Sequence, residues 1–187
     1  MKIDTRTLAG TTILASLVVV FDYTMKYSGL KIPFPWLPFL KFDFTGIPIV
    51  LSFYLLGFIP GVFTSMVAFV AILARSGDVI GSSMKGLAEL SNVAGMAFAL
   101  KKVPRFKRSA PLALGILTRC LVMFFSNLLV LPAYYKIPFM LVLGMSPLIA
   151  AFNVIQGSIS VLGGFFIYEA IKERIPYLIQ RKARAEN

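Results

Sequence analysis

Hydrophobic residues along the chain group into six segments, separated by short stretches rich in proline, glycine or charge. Most segments approach the roughly 20 apolar residues that cross a bilayer as a helix. They run from about Leu8 to Tyr27, Ile47 to Phe58, Pro60-Gly61 to Ala74, Met84 to Leu100, Pro111 to Leu131 and Pro147 to Ile171. We therefore predict an all-α membrane protein with six transmembrane helices, forming a single domain over residues 1–187. Because only 57–61 separate the second and third segments, one long kinked helix is the alternative there.

The composition agrees with a membrane protein, and the distribution of its basic residues predicts an orientation. The chain is 58% hydrophobic with a formal net charge of +11, whereas soluble domains are about 45–50% apolar. In a soluble protein such a charge would suggest nucleic-acid binding. Here lysine and arginine concentrate at the N-terminus, at 101–108 and at 172–184, as the positive-inside rule expects of cytoplasmic segments. We predict cytoplasmic N- and C-termini, an extracellular loop over residues 28–45 and no nucleic-acid partner. The first segment has no small-residue cleavage site, so we interpret it as a retained helix.

The long extracellular loop between the first two helices is rich in aromatic residues and carries prolines at 33, 35 and 38. Irregular backbone at membrane depth is tolerated only where protein or a cavity surrounds it. We expect this loop to close over a flat organic ligand. The alternative is that Trp36 and the neighbouring phenylalanines form only an interfacial aromatic belt. A second irregular outer loop is predicted over residues 136–147.

Polar side chains within the apolar segments are few, and such residues usually face a cavity or a partner. Four amides lie in the outer halves of their helices: Asn92, Asn127, Asn153 and Gln156. Amides both donate and accept hydrogen bonds, so they suit the edge of a heterocycle. They could instead bond one another between helices. We interpret Arg119, nearer the cytoplasmic side, as a structural residue paired with Glu89.

Small residues follow one face of the first helix, where Thr11 with Ala15 and Thr12 with Ser16 repeat at four-residue spacing. Such spacing allows close helix approach in lipid. Thr11, Ala15 and Ser16 are therefore candidates for docking a partner membrane protein. A contact within this chain is the alternative.

Catalytic chemistry is poorly represented. The chain has no histidine and one cysteine, Cys120, within an apolar segment, so a metal site is not expected. There is no P-loop, GxSxG or HExxH motif, and the two halves show no clear repeat of the kind found in many secondary transporters. We predict that the protein is not an enzyme and that something else drives any transport.

Four segments resemble a known family. Pro38–Pro48 (PFLKFDFTGIP) is similar to the form PFLKxDFSDIP, and Phe152–Gly157 (FNVIQG) is similar to FNxIKG. Gly86–Gly95 and Asn127–Pro132 resemble two further stretches of the same family, in the same order. Over about residues 5–175 the chain resembles the substrate-binding S components of energy-coupling-factor (ECF) vitamin transporters, most closely those specific for riboflavin.

The resemblance implies a protein of a prokaryotic plasma membrane that captures riboflavin from outside with high affinity. A transmembrane T component and two ATPase subunits would drive its release inward, with riboflavin as cargo and no cofactor. It also implies a set of substrate-binding residues: Trp36, Leu40, Lys41, Phe44, Ile47, Asn92, Asn127, Asn153 and Gln156. Asp43 is expected to act as a latch for the loop.

Two positions depart from the family pattern. Gly46 stands where the family often has an acid, and Gln156 where riboflavin binders often carry lysine. An S component for another small molecule, such as pantothenate or a different heterocycle, is therefore an alternative. A membrane protein without a vitamin ligand is a second one.

Overall fold

The computed structural model of the protein describes residues 4–106 and 108–174, which form six α-helices and one two-stranded hairpin. The helices are α1 (Thr5–Tyr27), α2 (Gly46–Leu56), α3 (Phe58–Ser76), α4 (Val79–Lys102), α5 (Ser109–Tyr135) and α6 (Phe139–Arg174), and the strands are β1 (Ile32–Phe34) and β2 (Leu37–Phe42). A short 3-10 turn, Pro104–Phe106, lies between α4 and α5. Each helix overlaps one predicted apolar segment, although the bounds differ.

Four of the described helices, α1, α3, α5 and α6, are long and apolar enough to cross a membrane. Helix α2 is apolar but has only 11 residues. Helix α4 has 24 residues but carries Lys85, Glu89 and Asn92 towards the protein interior. The prediction of an all-α membrane protein is confirmed at this level, while the orientation of its termini stays a prediction. Of the basic residues behind that orientation, those at positions 1–3, 107 and 175–187 lie outside the described residues.

Helix α2 occupies the centre of the bundle, where it packs against α1, α3, α4 and α6. Its Ile49 and Val50 are fully buried in the main hydrophobic core. Gly57 separates α2 from α3 with φ 111° and ψ −172°, a conformation that glycine enters readily because it lacks a Cβ atom. The two segments are thus separate helices and not one kinked helix.

The loop between α1 and α2 is more ordered than the irregular backbone predicted for it. Strands β1 and β2 pair antiparallel, with Ile32 opposite Phe42 and Pro33 opposite Lys41. The hairpin buries Phe34 and Leu37 against the ends of α5 and α6. Its ladder satisfies backbone groups that an irregular loop would leave unpaired, which makes the segment compatible with a membrane surface.

The predicted second outer loop over 136–147 is wrong. Helix α5 continues to Tyr135 and α6 begins at Phe139, so only three residues connect them. Pro147 lies inside α6 and does not begin it. Proline is tolerated within membrane helices, where neighbouring groups compensate for its missing hydrogen bond, so its position was a poor guide to the helix start.

Close packing of α4 on α5 depends on Gly95. A Cβ atom at this position would meet the backbone of Leu114 and lie 2.8 Å from Cβ of Thr118. We expect Gly95→Ala to lower the free energy of unfolding in detergent by about 1–3 kcal/mol, because overpacking forces the helices apart. Gly144, in α6, has open space at the same atom. Gly144→Ala is the matched control and should leave stability unchanged or raise it by up to about 1 kcal/mol; equal effects at both sites would contradict the described packing.

Candidate ligand-binding site

A cavity of about 490 Å³ lies beneath the hairpin, between the first turns of α4, the second half of α5 and the first half of α6. Small-molecule sites typically occupy about 300–1,000 Å³. The cavity is lined by Phe39, Leu40, Lys41, Asp78, Ile80, Gly81, Met84, Lys85, Ala88, Arg119, Met123, Asn127, Val130, Leu131, Tyr135, Ile137, Phe152, Asn153 and Gln156. A mostly apolar lining with a few convergent polar groups is the usual composition of a ligand site.

A chain of buried ion pairs forms the polar side of this cavity. The Lys85 ammonium lies 2.8 Å from Asp43 Oδ1 and 2.8 Å from Glu89 Oε1, and Arg119 Nη1 lies 2.9 Å from the same glutamate oxygen. Arg119 Nε also donates to Asn153 Oδ1 at 3.2 Å. We call Asp43, Lys85, Glu89 and Arg119 the charge network. It contains two acids and two bases, so the formal charges balance, and the predicted pairing of Arg119 with Glu89 is confirmed.

Asp43, the first residue after β2, is hydrogen-bonded by side chains of two helices, α4 and α6. Its carboxylate accepts from Lys85 on α4 and from the Thr45 hydroxyl at 2.7 Å. Its backbone N–H donates to Gln156 Oε1 at 3.2 Å, and its backbone carbonyl accepts from Gln156 Nε2 at 2.8 Å. Burial alone would raise the pKa of the Asp43 carboxyl, but the Lys85 ammonium and the Thr45 hydroxyl outweigh it and hold that pKa below its usual value.

The start of the hairpin segment is held by a second buried acid. Asp22, near the end of α1, is fully buried and pairs with Lys31 at 2.5 Å and with Arg75 of α3 at 2.6 Å. Between these two ionic attachments the hairpin rests on aromatic contacts. The Phe152 ring lies 5.7 Å from the Phe34 ring and 4.9 Å from the Phe42 ring, measured between centroids. The hairpin is therefore fixed at both ends and packed by apolar contact in between.

Five of the predicted substrate-binding residues line the cavity: Leu40, Lys41, Asn127, Asn153 and Gln156. Two of their amides already bond their own helices, since Asn127 Nδ2 donates to Met123 O at 2.7 Å and Asn153 Nδ2 donates to Ile149 O at 2.9 Å. Oxygen Oδ1 of Asn127 accepts no hydrogen bond from the described residues. Three of the four amides singled out in the sequence, Asn127, Asn153 and Gln156, thus line one cavity.

The other four predicted residues lie outside the lining. Trp36 is 67% exposed in the hairpin turn, and Phe44 is 47% exposed with its backbone N–H directed at the Met25 sulfur. Ile47 packs against the backbone of α6 at Gly163. Asn92 is buried one turn below Glu89 and donates to Glu89 Oε2 at 3.2 Å. In this structure none of these four side chains lines the cavity.

Several lining residues escaped sequence reasoning. Met123 and Leu131 share one face of α5 with Arg119 and Asn127, at a spacing of four residues. Lys85 precedes Glu89 by four residues on α4, so one helix face carries both. Checking the residues one helical turn before and after each polar residue would have identified these side chains.

The predicted docking residues of α1 do not share one surface. Ala15 is buried inside the chain at 8% exposure, whereas Ser16 is exposed. The Thr11 hydroxyl is half-buried and donates to the Thr7 carbonyl of its own helix at 2.6 Å. Among the described residues, no group of three or more His, Cys, Asp or Glu side chains could hold a metal ion.

Comparison with known proteins gives one informative result. No protein-family model matches the chain, and no curated protein matches it. A solved structure of the S component of a bacterial ECF transporter is similar, with a TM-score of 0.75 and 21% sequence identity, covering 91% of this chain and 97% of that one. At this identity the similarity establishes the fold, which is that of an ECF S component and agrees with a multi-pass membrane protein.

The charge network generates a double-mutant prediction. Arg119→Leu and Glu89→Leu should each lower the free energy of unfolding by about 3–5 kcal/mol, because each leaves uncompensated buried charge. The double variant keeps the balanced pair of Asp43 and Lys85. We expect the decrease in the free energy of unfolding of the double variant, measured in the same detergent, to be clearly smaller than the sum of the two single decreases. Additive losses would show that the two residues do not act as a pair.

The lowered pKa of Asp43 generates a pH-dependent prediction. A carboxyl whose pKa is lower in the folded state stabilises the fold above its unfolded pKa, and this stabilisation disappears as pH falls through the folded value. Asp43→Asn should therefore lower the free energy of unfolding by at least about 1 kcal/mol at pH 7. The difference from the unsubstituted protein should shrink below about pH 4. A difference independent of pH would contradict the ionic role of Asp43.

Proposed function

We propose that this protein is a substrate-binding S component of an ECF vitamin transporter and that its ligand is riboflavin, as in the RibU type. The observation that carries the proposal is the cavity beneath the hairpin, on a fold shared with an ECF S component. The protein captures the vitamin and has no enzymatic activity and no cofactor of its own. A transmembrane T component and two ATPase subunits then drive its release.

The polar chemistry of the cavity supports a ligand rich in hydrogen-bond acceptors. The Arg119 guanidinium has five N–H groups and the Lys85 ammonium has three, and their bonds within the described residues leave donors of both available. Lys41 adds an ammonium at the hairpin side. The pyrimidine edge of a flavin presents two carbonyl oxygens and two ring nitrogens, N1 and N5, as acceptors, and one donor, N3–H. Such an edge fits the donors, while Leu40, Met123 and Phe152 supply apolar surface for the flat ring.

The distribution of charge supports an extracellular opening. The hairpin and cavity lie at one end of the bundle, where α1 ends and α4 begins. Basic residues gather at the other end, including Lys101, Lys102, Arg108 and Lys172. By the positive-inside rule that end faces the cytoplasm. The cavity would then collect its ligand from outside a prokaryotic cell, with both termini inside.

Gln156 favours a second candidate ligand. An uncharged amide here replaces the lysine of the riboflavin binders that the chain resembles, so another small molecule, such as pantothenate or a different heterocycle, is the second candidate. Titration of the detergent-purified protein with each vitamin distinguishes them. We expect riboflavin to give saturable binding, with flavin absorbance retained by the protein after desalting. Binding of pantothenate alone would favour the second candidate, and binding of neither would contradict both.

Asn153 provides the mutational test of this site. We expect Asn153→Ala to weaken riboflavin binding by more than about 1 kcal/mol, because it leaves a polar ligand edge and the Arg119 Nε donor without a partner. Ser146→Ala, two turns earlier on α6, is the matched control, since its hydroxyl bonds the Val142 carbonyl of the same helix and does not line the cavity. Unchanged affinity in Asn153→Ala, by fluorescence titration, would count against the assignment.

A further inference from the structure

We infer that Gln156 is a positioning residue, which holds the last residue of the hairpin segment in place before any ligand arrives. The inference rests on the function proposed above, because it takes the cavity to be the vitamin site. It changes the role expected of Gln156. The amide was predicted to bond the ligand, whereas we infer that it fixes the segment that covers the ligand.

The hydrogen bonds of the amide are the first argument. Gln156 Oε1 accepts the Asp43 N–H at 3.2 Å and Gln156 Nε2 donates to the Asp43 carbonyl at 2.8 Å. This reciprocal pair copies the exchange of bonds between two residues of an antiparallel ladder. Gln156 is only 1% exposed, so turning its amide towards a ligand would leave two buried backbone groups unpaired, which is costly.

The position of Asp43 is the second argument. It is the first residue after β2 and lies three residues before the start of α2. Just beyond it, Gly46 packs so closely against Ser160 and Glu89 that a Cβ atom there would overlap both side chains. Residues 43–46 are therefore held between α4 and α6, and the bonds of Gln156 contribute to holding them.

The test uses ligand-free protein, so it succeeds or fails independently of which vitamin binds. Aspartate occurs at only four positions, Asp4, Asp22, Asp43 and Asp78. Selective ¹⁵N-aspartate labelling therefore gives one amide resonance for each, and hydrogen exchange can be followed at Asp43 directly. In the unsubstituted protein we expect Asp43 to exchange much more slowly than Asp4. Exchange as fast as that of Asp4 would overturn the inference without any variant.

Substitution then isolates the contribution of the amide. Gln156→Leu should speed exchange at Asp43 about tenfold, the effect of losing hydrogen bonds of ordinary strength, while Asp22 in α1 keeps its rate. Gln156→Lys retains a donor but has no acceptor, so it provides a second variant if the first does not fold. Asn127→Leu is the matched control, because this amide also lines the cavity but bonds α5 and not the hairpin segment. It should leave exchange at Asp43 unchanged.

Two results would overturn the inference. One is an unchanged Asp43 rate in folded Gln156→Leu, which would mean that the amide does not hold the hairpin segment in place. The other is an equal acceleration at Asp22 and Asp43, which would mean that the variant loosens the whole bundle. A selective acceleration at Asp43, absent in Asn127→Leu, supports the positioning role.

Discussion

The structure depends on four buried charges that pair with one another. Asp43, Lys85, Glu89 and Arg119 come from the hairpin segment, α4 and α5, and the last two are almost completely buried. Charges at membrane depth are costly unless paired, so these elements must meet at one place. Their meeting fixes the distance between α4 and α5 and the point where the hairpin ends. The cavity is the space that remains above this contact.

The hairpin solves a second problem that lipid imposes. A covering segment must be able to move, yet its backbone cannot be left unpaired near hydrocarbon. Here the ladder of β1 and β2 pairs the backbone internally, while ion pairs at Asp22 and Asp43 hold the two ends. Apolar contacts of Phe34 and Leu37 hold the middle. Such contacts are non-directional, so the middle is held to α6 by packing, whereas both ends are held by ion pairs.

Sequence reasoning succeeded where a single physical constraint decided the outcome. Long apolar segments predicted the six helices, and the cost of buried charge predicted the pair of Arg119 and Glu89. It failed for Asn92, which shares α4 with the site but bonds Glu89, and for Ile47, whose helix α2 contributes no residue to the cavity lining. The hairpin was also missed, because its prolines obscure the alternation that identifies a strand. The role of Gln156 depends on a backbone 113 positions away, which no local pattern contains.

The most direct test of the ligand site uses the single tryptophan of the chain. Trp36 lies in the hairpin turn, 5.1 Å from the Phe34 ring between centroids, and flavins absorb light where indole emits. Addition of riboflavin to the purified protein should quench Trp36 emission saturably, with an end point at one riboflavin per chain, and pantothenate should not. Emission unchanged by stoichiometric riboflavin would contradict a flavin site beneath the hairpin.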